Sequence, residues 1–209
     1  MKKSKLNFLT FTLVILLSGC AATYKPINPP ALNYNSHDTQ DGIALAYKYD
    51  VLREKGNSRY ANKEDRKGVK LIAVQLTNNT DTILNVGKDV AFFSGENQIF
   101  PMEPNAAKES IKQIVPAYLP YLLLTFVNLT VTQSTSSRAT TEVYPIGLAL
   151  GPGITLGNMY VARSANNRML NELYQYNILR RDIQKGETVY GIIAVRDLGY
   201  SPLSVKRIK

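Results

Sequence analysis

The stretch VKLIAVQLTNN, residues 69 to 79, decides the fold class, because its apolar residues recur at every second position until two asparagines end the run. Ile72, Val74 and Leu76 fall on one face of an extended chain, the period-two signature of a half-buried strand. Asn78, Asn79, Thr80 and Asp81 follow, residue types that tolerate left-handed backbone and suit a turn. The alternation also stands upstream, in GIALAYKYDVL (42 to 52), where Ile43, Leu45, Tyr47, Tyr49 and Val51 are interleaved with Ala44, Ala46, Lys48 and Asp50. The charged segment from Arg53 to Gly68 between these two strands reads as a loop. Further strands are predicted at Thr82 to Val86, Val90 to Phe93 and Gln98 to Phe100, the last pair joined by Ser94-Gly95-Glu96-Asn97 and ended by Pro101. The pattern returns late, in ETVYGIIAV (187 to 195) and LSVKRI (203 to 208), after a Lys185-Gly186 turn.

Short strands at this density point to a sandwich or barrel. The arrangement resembles the immunoglobulin-like β-sandwiches of exported bacterial lipoproteins in which a strand-Asn-Asn-Thr-strand hairpin precedes a late GET-x-x-G strand. That resemblance implies a mainly β fold: a sandwich built from residues 41–103 and 183–209, interrupted by a helical, glycine-rich insertion over 104–182, and so α+β overall. It implies modules that bind, scaffold or space. With one cysteine and no tryptophan the chain is not an antibody-type domain.

The insertion differs in character from what flanks it. No charged residue occurs between Gln113 and Ser137, and IVPAYLPYLLLTFVNLTV (114 to 131) is apolar enough to raise the question of membrane contact. Charge is absent again from Val143 to Ala162, where Gly147, Gly151, Gly153 and Gly157 make two G-x-x-x-G frames. Small residues at that spacing let helices approach closely in lipid. Pro116, Pro120, Pro145 and Pro152 oppose a continuous spanning helix, since each removes a helical hydrogen bond. Two readings stand: both runs pack within the protein, or they meet a bilayer or a partner through Tyr118, Tyr121, Leu122, Leu123, Leu124, Phe126 and the four glycines. From Leu156 to Tyr176, Met159, Met169, Leu170 and Leu173 recur at three and four, which predicts an amphipathic helix.

The N-terminus carries an address. Lys2, Lys3 and Lys5 precede an uncharged run from Leu6 to Leu17, then Ser18 and Gly19, a secretory layout too short for a comfortable span. The sole cysteine, Cys20, comes next, and Leu17-Ser18-Gly19-Cys20 resembles the lipobox of bacterial lipoproteins. That resemblance implies a signal peptide over 1–19, cleavage between Gly19 and Cys20, and acyl chains on Cys20 that anchor the mature protein. Ala21 and Ala22 replace the acidic residue that retains such proteins in an inner membrane, which by the same resemblance favours the outer membrane. Residues 20–40, with Pro29-Pro30 and many Asn, Ser and Thr, read as a flexible tether.

Loss of the leader's lysines lowers the formal charge from +9 to +6, still basic, a balance that favours anionic headgroups. Export argues against nucleic acid, and the basic residues are interleaved with acidic ones, as in Arg53-Glu54-Lys55. Gly151-Pro-Gly-Ile-Thr-Leu-Gly157 matches a phosphate loop only loosely, because Pro152 removes a backbone donor and no Gly-Lys-Ser/Thr follows. His37 is the only histidine, so nucleophile–histidine pairs and zinc sites lack ligands. Glu96, Glu103, Glu142 and Glu187 are nominal carboxylates for glycoside hydrolysis, without any pairing by spacing. The expectation is therefore a membrane-anchored, non-enzymatic envelope protein without cofactor or metal, an accessory or scaffolding component with the membrane and an envelope protein as partners. A small-ligand or glycan-binding lipoprotein, its pocket where the insertion meets the sandwich, is the second reading, and an envelope hydrolase the third.

Overall fold

The structure, a computed structural model, describes residues 19–135, 138–196 and 200–208. The predicted leader up to residue 18 lies outside them. The chain divides into two compact units: a sheet unit, Tyr24–Gln113 with Ala165–Lys209, and an insertion unit, Met1–Thr23 with Ile114–Ser164.

In the sheet unit strands form in each predicted region, but the one predicted over 42 to 52 ends at Lys48, with Val51 opening a helix, and the one predicted over Thr82 to Val86 shortens to Leu84–Asn85. A four-stranded antiparallel sheet has the order β1 (Ser36–Gln40), β2 (Ile43–Lys48), β3 (Val69–Asn78), β10 (Thr188–Arg196). A three-stranded sheet has the order β11 (Leu203–Arg207), β5 (Val90–Ser94), β6 (Asn97–Ile99). A short pair, β4 (Leu84–Asn85) with β9 (Asp182–Ile183), completes the unit. β3 is buried on both faces. Its even positions, Ile72, Val74 and Leu76, join Ile43, Leu45 and Tyr47 of β2 and Ile193 and Val195 of β10 in an apolar layer shared with Val90, Phe92 and Val205 of the other sheet. Its odd positions, Val69, Leu71 and Ala73, turn the opposite way, with Ile192 and Ala194 of β10. The turn after β3 is held by the buried Asn78 side chain, whose Nδ2 donates to the carbonyls of Thr82 (2.8 Å) and Ile183 (3.0 Å) while Oδ1 accepts from Thr80 N (2.9 Å).

The second face of the large sheet is covered by helices, which corrects the mainly β expectation. The charged segment predicted as a loop contains α1 (Val51–Glu54) and α2 (Ser58–Lys67). α2 buries Tyr60, Ala61 and Glu64, spaced as one helical face, and ends at Gly68, whose φ of 57° caps the last turn. A single turn, α3 (Val86–Asp89), lies between β4 and β5. With α4 (Pro104–Ile111) and the end of α5 (Gly147–Gln175), the helices contribute Val51, Leu52, Tyr60, Ala107, Ile111, Met169 and Leu173 to the second core. Helix takes 39% of the described residues and strand 33%, so the protein is mixed α+β with several small antiparallel sheets.

Residues 24–40, expected as a tether, are packed instead. Tyr24 and Ile27 are buried, and β1 is an edge strand of the large sheet. Three contacts hold this segment. Asn57 accepts from Lys25 N (2.8 Å) and donates to Lys25 O (2.7 Å). The Tyr24 and Tyr60 rings meet edge to face at 5.5 Å. Glu172 on α5 accepts from Tyr24 Oη (2.6 Å), Ile27 N (3.1 Å) and Asn28 N (2.9 Å).

The insertion is also shorter than 104–182. Residues 104–113 and 165–182 belong to the sheet unit. The residues bracketing the remaining segment are joined by a buried network: Asn166 Oδ1 accepts from Gln113 N (2.8 Å) and Tyr60 Oη (3.1 Å), and Asn166 Nδ2 donates to Gln113 O (2.9 Å). These bonds pair buried polar groups of Gln113, Asn166 and Tyr60 where the chain leaves the sheet unit and returns to it, as burial demands. The predicted amphipathic helix exists but starts earlier, at Gly147, and runs through Pro152.

Candidate functional site

The insertion unit concentrates the uncharged sequence. Of its residues from 114 to 164 only Arg138, Glu142 and Arg163 are charged. Pro116 and Pro120 keep the apolar run out of an α-helix, and Val115–Phe126 coils as a 3-10 segment. Tyr118 is buried and stacks on Tyr121 with ring centroids 6.5 Å apart. Leu122 is exposed, and the larger exposures are Leu123 at 70% and Phe126 at 81%; Leu124 is half-buried.

The four glycines divide into two pairs. Gly147 and Gly151 are buried where α5 presses on the end of the 3-10 segment. A Cβ on Gly147 would meet the carbonyl oxygens of Leu124, Thr125 (2.6 Å) and Val127 (2.6 Å), and one on Gly151 would meet Thr125 Oγ1 and N (2.6 Å). Gly153 and Gly157 face open space. One G-x-x-x-G frame therefore serves internal packing, and the other lies on an exposed strip of α5 with Leu156 and Tyr160.

After the 3-10 segment, β7 (Leu129–Thr135) and β8 (Arg138–Tyr144) pair as a hairpin in which every described residue is exposed. The register places Leu129, Val131 and Tyr144 on one face with Arg138 and Glu142, and Thr130, Thr132, Thr141 and Val143 on the other. Glu142 accepts from Tyr144 Oη.

Cys20 is exposed and belongs to this same unit. Its neighbour Ala21 donates its backbone N–H to Asn158 Oδ1 on α5 at 2.6 Å, and Asn158 Nδ2 donates to Ile154 O at 2.8 Å. The residue after the predicted acylation site is thus fixed to the helix that carries Leu156 and Tyr160. No spacing rule could have shown this bond, which joins residues 137 apart in sequence.

The sheet unit holds the second candidate, a groove of about 500 Å³ lined by Tyr24, Asn28, Arg168, Asn171, Glu172 and Gln175. The sequence did not single out its buried carboxylate, Glu172; a signal existed in the spacing of Ala165, Met169 and Glu172 along one face of α5. A second buried carboxylate, Glu64, accepts from Leu71 N at 2.6 Å. Desolvation pushes its pKa up to about 7 against the opposing effects of that hydrogen bond and of Lys70. The four nominal hydrolytic carboxylates are engaged separately: Glu187 accepts from Gln184 N (2.7 Å), Glu103 pairs loosely with Arg180 (3.6 Å), Glu142 is in the hairpin and Glu96 in the β5–β6 turn.

Among the described residues no group of three His, Cys, Asp or Glu could hold a metal ion, and no helix is long and apolar enough to cross a membrane. No protein-family model matches the chain, and neither a curated protein nor a solved structure resembles it significantly.

Proposed function

We propose that this chain is an exported envelope protein held to a membrane by acyl chains on Cys20, without catalytic activity, serving as an accessory or scaffolding component through protein or membrane contacts. One observation carries the reading. The unit that contains Cys20 also displays Leu122, Leu123, Phe126, Leu156 and Tyr160 to its surroundings, far more large apolar side chain than a solitary soluble unit gains from exposing. The two sheets sharing one apolar layer support the immunoglobulin-like part of the proposal, with the helices as its departure from that pattern. Ala21 and Ala22 favour the outer membrane.

The test is the mass of the N-terminal peptide of natively produced protein, read alongside fractionation of a Cys20→Ala variant. A mature chain beginning at a diacylated or triacylated Cys20 is the expected result, and an unmodified thiol or an uncut leader refutes the reading.

The groove beside Glu172 favours a second function, capture of a small polar ligand such as a glycan. Asn28, Arg168, Asn171 and Gln175 offer planar hydrogen-bonding groups next to Tyr24 and Tyr176, the mixture that fixes a polar ligand's orientation. Chemical-shift changes confined to these residues on addition of envelope oligosaccharides would establish it.

A further inference from the structure

We propose that the insertion unit lies on the bilayer that holds the Cys20 lipid, its exposed leucines and rings set among the acyl chains without crossing them. The inference rests on the reading that Cys20 is acylated, and it names the partner of the apolar surface.

The anchor leaves no slack. A lipoprotein on a loose tether would let its body drift from the membrane, whereas here Ala21 is bonded to Asn158, one residue from the anchor. Consecutive Cα atoms lie about 3.8 Å apart. Acyl chains buried in the bilayer therefore hold this part of α5 at the headgroup level, with Leu156 and Tyr160 on either side of Asn158 in sequence.

Charge points the same way. The insertion unit has three charged side chains in residues 114–164, against 35 in the sheet unit. A protein interface of useful specificity carries a polar rim with hydrogen bonds and charge pairs around its apolar centre. The surface formed by Leu119, Leu122, Leu123 and Phe126 has no charged residue within the segment that bears it, and hydrocarbon demands that condition.

The backbone sets the depth. Hydrocarbon tolerates only polypeptide whose polar groups are satisfied internally. The 3-10 segment and the first turns of α5 pair backbone groups by helical bonding, Gly147 N donates to Val127 O, and Val127 N closes the segment by donating to Leu124 O. The β7–β8 hairpin does not, since both its outer edges are open, and its Thr, Ser and Gln side chains suit the headgroups or water. Because no described helix can span, the immersion is shallow, on the order of 5–10 Å, as for interfacial helices.

The chain has no tryptophan, so a single introduced one reports its own surroundings. The full acylated protein carrying Phe126→Trp is reconstituted in phospholipid vesicles with brominated acyl chains and compared with a protein carrying Phe100→Trp, a site in the sheet unit of similar exposure at 77%. Both replaced rings are exposed, so neither change disturbs a core. Several-fold stronger bromine quenching at position 126 is the expected result. Equal, weak quenching at both positions overturns the proposal. Protection of Trp at 126 from aqueous iodide without bromine quenching also overturns it, by assigning the surface to a protein. The N-terminal mass is read on the same sample: acylated Cys20 with unquenched Trp at 126 sinks the docking alone, and a bare Cys20 sinks the anchor beneath it.

Discussion

Both units are rich in apolar residues, the insertion unit with almost no charge among them, yet they use those residues in opposite ways. In the sheet unit, β3 and β10 send alternate residues into two cores, and the buried Asn78, Glu172 and Asn166 each take several hydrogen bonds. In the insertion unit Leu122, Leu123, Phe126, Leu156 and Tyr160 point outward, and the close contact is backbone against Gly147 and Gly151. Burial of apolar area stabilises a domain by about 25 cal/mol per Å². A unit that leaves Leu123 and Phe126 uncovered forgoes that gain unless something outside the chain supplies it.

Substitutions test this contrast. The largest effect is expected from Met169→Ala, which opens a cavity in the helix-side core where Met169 is fully buried; it should lower stability by about 2–5 kcal/mol, whereas Leu123→Ala should change it by less than about 0.5 kcal/mol. Urea unfolding of the two variants measures the difference, and equal losses would remove the contrast between a packed and an outward-facing surface.

Next in size is the buried carboxylate of the sheet unit. Glu64 binds its proton up to about pH 7 when folded but only to about 4.5 when unfolded, so between these values the folded state holds more protons and stability falls as pH rises. The fall amounts to about 3 kcal/mol across that window and levels off above it. Glu64→Gln keeps an oxygen for Leu71 N and removes the titration. Unfolding free energies at pH 5 and pH 8 should therefore converge in the variant by about that amount relative to the parent; an unchanged pH dependence would place the carboxylate in a more polar setting than its burial indicates.

The smallest effects separate the two glycine pairs. Gly151→Ala drives a methyl group into Thr125 and should cost about 1–3 kcal/mol, read as faster amide exchange at the start of α5. Gly157→Ala meets nothing and should instead stabilise the helix by up to about 1 kcal/mol. Identical responses would mean that the internal crossing at Gly147 and Gly151 is no tighter than the open strip.

Part of this was written in local pattern. β2, β3, β5 and the two late strands follow from period-two alternation, and their edges fall within a few residues of the turns that Asn78, Gly95 and Gly186 signal. The missed elements have identifiable causes. α2 buries Tyr60, Ala61 and Glu64, and two residues and a carboxylate among seven other mostly charged positions look like a solvated loop until the carboxylate finds Leu71 N. Pro152 suggested a break in α5, yet the helix runs through it and gives up only the one backbone donor that proline lacks. Of the apolar surface, Leu122, Leu123 and Phe126 were legible from the absence of charge, and the division of the glycines was not.

By itself the sequence determined the strand periodicity, the uncharged insertion and the single cysteine after its small residues, because each depends only on residue types at fixed short spacings. Tertiary structure alone decided that residues 24–40 are packed, that helices cover the outer face of the large sheet, and that Ala21 is fastened to Asn158. Those outcomes depend on partners between about 30 and 150 positions away along the chain. Hydrogen bonds of that range are selected by the whole fold's geometry, and no local spacing encodes them.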